Sequence, residues 1–346
     1  SPTVVLEPTP LPSPSPVTTP EPTPSPIPTP TPQEIQPALE AARPECAGLV
    51  IRSDDRLVLD GEPFTFVGTN VSYLTGPYSP EEIMEEVISY LASEGVEAIR
   101  VWAFPDRDLD RLERMLDLGR EYDVRFIFTL DNYYFDKSES WFQGGYEGKY
   151  LRHVKKVVTR FEDRPEILMW ELMNEPNCAQ EGQAQSCLDA LYGWARRASR
   201  LIREIDPCRP ISLGMMDGGA WTEQEEANFR RLHELESIDI MSLHKRATRW
   251  LEREIALARE LNLPVFFGEI HAEAPHEGCT PAEKEVLRAR ARVIEEDLER
   301  SFAAGVDGYL LWQYAHGDVG GNLHYCGAID YFRKDPAWDV LRRYAR

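Results

Sequence analysis

Positive charge is scarce in this chain. The 38 Lys and Arg residues stand against 59 Asp and Glu, a formal net charge of −21. Such a surface repels phosphate backbones and anionic lipid, which argues against a nucleic-acid or membrane-surface role. Neutral polymers such as polysaccharides remain compatible partners. No apolar run approaches the roughly 20 residues a membrane span requires. The six cysteines contain no C-x-x-C pair, against a zinc ribbon or a thioredoxin-type centre. No H-E-x-x-H occurs. His271 and His276 flank Glu273, but the spacing is wrong and Pro275 opposes a helix, so no metal site is expected. No signal peptide is visible, and because the chain starts at Ser1 rather than Met, we expect a leader to have been removed.

What is abundant sits at the two extremes of order. Residues 1–37 alternate Pro with Ser and Thr and hold about half of the prolines; they cannot build a packed core, and residues 1–45 are expected to be a disordered linker. Residues 46–346 read as one globular domain, in a chain of 42% hydrophobic composition overall. It opens with a β-hairpin, Leu49–Arg52 then Leu57–Leu59, with Asp60-Gly61 leading to Pro63-Phe64. Eight strand candidates follow: 64–70, 98–102, 124–130, 167–172, 211–214, 238–243, 265–268 and 308–312. Amphipathic helices are expected near 81–94, 107–121, 148–161, 185–205, 223–235, 248–261, 281–303 and 336–345. Eight such units in about 300 residues predict an α/β fold of the (β/α)8 TIM barrel type. The rival, a doubly wound open sheet, lacks its Gly-rich loop. After the first strand the chain reads Val71-Ser72-Tyr73-Leu74.

Active sites of such barrels lie at the C-terminal ends of the strands. There the sequence gathers ionisable and aromatic residues: Arg100 and Trp102 after strand two, Asn174 and Glu175 after strand four, His244 after strand six, Glu269 after strand seven, Trp312 after strand eight. Glu175 and Glu269 would face each other across the mouth. Glycoside hydrolysis with retention needs such a pair, about 5–5.5 Å apart, one acting as acid and the other as nucleophile. At that spacing joint ionisation is opposed, so the acid is the carboxyl with the raised pKa. Arg100 would keep Glu269 ionised, Asn174 would bond a sugar 2-hydroxyl, and Trp102 and Trp312 offer flat faces to a sugar ring.

At these residues the sequence resembles glycoside hydrolase family five, and within it the β-mannanase branch. The resemblance rests on Phe66-Val67-Gly68-Thr69-Asn70, Ile99–Phe104, Trp170-Glu171-Leu172-Met173-Asn174-Glu175-Pro176 and Phe267-Gly268-Glu269, and spans roughly residues 48–345. It implies Glu175 as acid/base, Glu269 as nucleophile, Arg100, Asn174, His244 and Trp312 as their supports, and Asn132 as a substrate contact. The family usually carries His-x-Tyr after strand six, its Tyr touching the nucleophile. Here Arg246 occupies that position, so the nucleophile needs another partner or the register differs. Strand seven also departs from the usual pattern, continuing Ile270-His271-Ala272-Glu273, which would turn His271 and Glu273 toward the cleft.

Six cysteines allow 15 pairings. The strand map suggests Cys178 with Cys187 in the loop after the acid/base, Cys279 with Cys326 at the same rim, and Cys46 with Cys208 on the opposite side. Tyr133, Tyr134, Trp141, Phe142 and Tyr146 would form either a sugar-stacking platform or a packed loop, and His316, His324 and Tyr325 are weaker cleft candidates. The resulting expectation is a secreted, monomeric endo-β-1,4-glycanase acting on mannan or glucomannan, without a cofactor, whose linker could serve as a tether. The alternatives are an endoglucanase, an exo-acting or transglycosylating relative, and a carbohydrate-binding barrel without turnover.

Overall fold

The computed structural model describes residues 46–76, 79–134, 137–178, 184–216, 222–272, 284–316 and 334–346. The expected linker, Glu273, His276, Cys279, His324, Tyr325 and Cys326 lie outside these residues. Strands β1 (Val50–Ser53), β2 (Arg56–Leu59) and β3 (Glu62–Pro63) form the expected hairpin, extended to an antiparallel three-stranded sheet. Val50 and Leu57 of this sheet are buried in one cluster with Phe66, Ala98, Ile127, Leu168, Phe266 and Leu310. These last residues come from successive barrel strands, so the small sheet closes the barrel floor.

The barrel strands are β4 (Phe66–Asn70), β5 (Ala98–Trp102), β6 (Arg125–Thr129), β7 (Ile167–Glu171), β8 (Ile211–Ser212), β9 (Met215–Met216), β10 (Met241–Arg246), β11 (Val265–His271) and β12 (Gly308–Leu311). All pair in parallel, in the order β8-β7-β6-β5-β4-β12-β11-β10-β9. The two ends of that order are halves of one strand, the expected fifth. They are separated by Leu213 and by Gly214, whose φ of +80° breaks the extended run. Strand β9 pairs with β10, and a bridge between Ser212 and Ile240 ties β8 to the same neighbour. The sheet thereby closes on itself as a (β/α)8 barrel.

The connecting helices are α1 (Glu81–Ser93), α2 (Leu109–Tyr122), the short α3 (Glu139–Gln143), α4 (Lys149–Phe161), α5 (Gln185–Ile205), α6 (Glu223–His233), α7 (Glu252–Glu260), α8 (Lys284–Ala303) and α9 (Pro336–Tyr344). Their starts follow local chemistry. The Asp108 carboxylate accepts from Asp110 N at the head of α2, and Thr222 and Glu225 form a reciprocal capping box on α6. Asp335 caps α9, whose first residue is Pro336. Along α4, Tyr150, Val154, Val157, Val158 and Phe161 recur at helical spacing and are all buried.

Three expected elements shift their boundaries. The sixth strand runs 241–246 rather than 238–243, because pairing with β11 begins at Met241↔Val265 and persists to Arg246↔His271. Helix α7 starts at Glu252 instead of 248, after a turn in which Arg249 N donates to Arg246 O at 2.8 Å. Strand β11 also runs three residues past the expected 265–268, and it is irregular. Leu243 pairs with Phe267 but His244 pairs with Glu269, so Gly268 is an extra residue, a β-bulge. Phe266 packs inside the barrel and Phe267 packs outside with the helices. Strict alternation would send Glu269 outward with Phe267. The bulge resets the alternation, Ile270 joins the outer core, and Glu269 and His271 face inward.

Candidate active site

Arg100 lies on β5 between Ile99 and Val101, which pack outward, and so points into the barrel. It is fully buried. Its Nε and Nη2 donate to Glu171 Oε1 at 2.8 and 2.5 Å, and Nη2 also reaches Asn174 Oδ1 at 2.8 Å. Nη1 donates to Glu269 Oε1 at 2.6 Å and to Asn70 Oδ1 at 3.0 Å. Glu171 is held in turn by Thr129, Ser212 and Ser242. The guanidinium is thus fixed from below and presents one edge to Glu269. Burial alone would push the Glu269 carboxyl up, but His244, His271 and Arg100 together pull it down to about 2. Glu269 is therefore held in its ionised form.

Glu175 follows β7 and occupies the left-handed region, with φ +53°. A non-glycine residue there costs about 1–3 kcal/mol, and such residues concentrate at functional sites. Its N–H donates to Gly214 O at 2.8 Å, which ties it to the break in the fifth strand. Its side chain is 12% exposed and reaches toward Glu269. His244 Nδ1 lies 2.9 Å from Glu175 Oε1 and 3.6 Å from Glu269 Oε1. His244 Nε2 is buried without a hydrogen-bond partner, so Nδ1 is the nitrogen that donates, to Glu175. Tyr134 donates its hydroxyl to the other oxygen of Glu175, Oε2, at 2.6 Å.

One oxygen from each glutamate and one nitrogen of His244 lie within 4.8 Å of one another. These three are the described residues that are close enough to share a cation. The Arg100 guanidinium on Glu269 would repel one, and each ligand atom already has a hydrogen-bond partner. The arrangement is suited to a nucleophilic carboxylate opposite a proton-carrying one.

The structure brings Arg100, Asn174, Glu175, His244 and Glu269 into one network. Asn132 joins it by accepting from Asn174 Nδ2 at 3.2 Å. Trp102 and Trp312 stand half-buried at the rim with ring centroids 6.0 Å apart, rather than in the core. Arg246, at the place of the family's Tyr, is exposed at the end of β10. The residue that meets the second oxygen of Glu269 is His271, at 3.3 Å. Trp141, Phe142 and Tyr146 pack with Tyr150 and Trp194 and form a packed loop. His316 contacts Tyr314 and Glu86, away from the two glutamates. Cys178 is bridged to Cys187 and Cys46 to Cys208. Sequence reasoning missed Glu171 and the role of Tyr134. Glu171 alternates with the outward-packed Trp170 on β7, and that alternation was the available signal for its place inside the barrel.

The model of the family described as Cellulase (glycosyl hydrolase family 5) matches residues 58–297. Mannan endo-1,4-beta-mannosidase A of Podospora anserina is 23% identical over 352 residues, covering 85% of this chain and 90% of that protein. Mannan endo-1,4-beta-mannosidase 2 of Oryza sativa subsp. japonica is 26% identical over 357 residues, covering 80% and 79%. Among solved structures, the endo-1,4-beta-mannanase from Rhizomucor miehei superposes with a TM-score of 0.67 at 19% identity, over 86% of this chain and 98% of that one. At that identity the likeness shows the fold.

Proposed function

The chain belongs to glycosyl hydrolase family 5, and from that premise we propose that it is an endo-acting β-mannanase that cleaves with retention. The substrate class is taken from the mannan-cleaving relatives named above. The observation that carries the mechanism is the pairing of an Arg100-bound, ionised Glu269 with a partly exposed Glu175 across one imidazole. In the first step a Glu269 oxygen attacks the anomeric carbon. The bond to the leaving sugar breaks, and the Glu175 proton passes to the leaving oxygen. In the second step Glu175 takes a proton from water, the water oxygen attacks the same carbon, and Glu269 is released. Asn174 supports the sugar 2-hydroxyl, Asn132 holds Asn174, and Trp102 and Trp312 supply the apolar faces for sugar rings.

In the same reading the protein works outside the cell as a monomer, with residues 1–45 as a spacer. Its disulfides support an oxidising compartment. The description of the matched family favours β-1,4-glucan as the second substrate to compare. The test is hydrolysis of β-mannan, glucomannan and carboxymethyl cellulose, with product anomers followed by NMR. We expect mannan to be preferred, the first product to be the β-anomer, and Glu269→Ala to abolish turnover while leaving the fold intact. An α-anomer as first product, or near-parental turnover in Glu269→Ala, would overturn the mechanism.

A further inference from the structure

The two oxygens of Glu269 are held in different ways. Oε1 faces Arg100 Nη1 at 2.6 Å and His244 Nδ1 at 3.6 Å. Oε2 faces His271 Nε2 at 3.3 Å. His271 follows Glu269 by two residues beyond the bulge, so the strand sets both side chains on one face. Its ring lies 5.9 Å from that of Trp312, with 27° between the planes, and 31% of its side chain is exposed. Trp312 therefore limits the ring to orientations that keep Nε2 near the carboxylate.

We propose that His271 is the positioning residue of the nucleophile, fixing the plane of the Glu269 carboxylate from the side Arg100 does not reach. The proposal rests on Glu269 being the nucleophile, as argued above. Without a donor at Oε2 the carboxylate rotates about its terminal torsion, which is broad, and the attacking lone pair leaves the anomeric carbon. Among the described residues, the charged and titratable groups around the pair are Arg100 from β5, Tyr134 after β6, Glu175 after β7, His244 from β10, and Arg246, which stands opposite His271 in the β10–β11 register. Trp312, after β12, is neutral. The bond from His271 is also one of the interactions that lower the Glu269 pKa against burial.

The experiment compares His271→Ala with His271→Gln, whose amide nitrogen reaches the place of Nε2 and donates without a ring. Each is assayed on β-mannan and on 2,4-dinitrophenyl β-mannobioside, whose leaving group needs no proton from Glu175. We expect His271→Ala to lose about 10- to 100-fold in kcat on both substrates with KM little changed. The acidic limb of kcat/KM should move to higher pH, and His271→Gln should recover most of the rate. Carboxyl-carbon NMR should show Glu269 titrating at higher pH in His271→Ala than in the parent. Should the Ala variant fail to fold, His271→Met replaces it as the non-donating variant. Parental rates on both substrates, a loss confined to mannan, or an unmoved Glu269 titration would overturn the proposal. A parent that cleaves glucan instead refutes the mannan reading, and the comparison then runs on the dinitrophenyl cellobioside. A parent that cleaves neither refutes the proposed function, and the Glu269 titration alone then decides the role of His271.

Discussion

Arg100 holds two buried carboxylates, Glu171 and Glu269, of which Glu171 is wholly buried and Glu269 opens only narrowly to the cleft. Removing the guanidinium leaves two unpaired buried charges. Arg100→Ala is therefore expected to destabilise the fold by about 3–5 kcal/mol in urea unfolding, along with loss of turnover. A change below about 1 kcal/mol would mean that the pair is not buried as described. Tyr134 acts on the other glutamate. The residue is 58% exposed overall but its hydroxyl is turned inward onto Glu175 Oε2, and the desolvation of that hydroxyl followed by the Glu175 bond pushes its pKa up, so it remains a donor. Tyr134→Phe should lower kcat on mannan about 10-fold, the worth of one hydrogen bond to a charged group. The first step on dinitrophenyl glycosides, read as kcat/KM, should be spared, because it needs no proton from Glu175, which acts on these substrates only as the base of the second step. Equal losses in kcat/KM on both substrates would place Tyr134 outside the acid/base step.

At the scale of elements, the strands and helices were legible because apolar residues recur at periods of 2 and 3.6, and the strand-four and strand-seven glutamates were found by counting. The bulge at Gly268 was not legible, because it arises from register against β10 rather than from local sequence. Yet it aims Glu269. Tyr134 was visible only as one aromatic among five, since nothing local separates it from the packed Trp141 and Phe142. A Cβ at position 268 would lie 2.9 Å from Ser242 Oγ and 3.1 Å from His244 Nε2. Gly268→Ala must therefore displace Ser242 Oγ, which holds Glu171, and press on His244, which holds Glu175. We expect about a 100-fold loss in kcat with a stability change of about 1–3 kcal/mol, read from kinetics and urea unfolding together. Unchanged kcat would show that the bulge tolerates a side chain and does not set the geometry.

At the scale of the globular unit, the three-stranded sheet is joined to the barrel floor through Asp307. Its carboxylate accepts from Leu57 N at 2.9 Å and from Val265 N at 3.3 Å. Burial outweighs these two bonds and raises its pKa to about 7. The folded value lies above the unfolded one, so the contribution to stability is full below the unfolded pKa, near 3.9, and is lost as pH rises through about 7. Glu269 has the opposite sign in a separate window: its contribution is present above the unfolded value and lost as pH falls toward 2. Buried His233, its pKa lowered to about 4, acts in the opposite direction up to the unfolded histidine value, so the Asp307 effect is read as a difference against a variant that leaves His233 in place. Asp307→Asn keeps an acceptor for Leu57 N but cannot ionise, and it places a donor against Val265 N at a cost that does not vary with pH. The parent's stability relative to this variant should fall by about 1 kcal/mol per pH unit from pH 5 to 7 in urea unfolding, then level off by pH 8. A difference that stays constant across that range would mean that Asp307 is ionised throughout, and that the joint between the floor sheet and the barrel carries no proton.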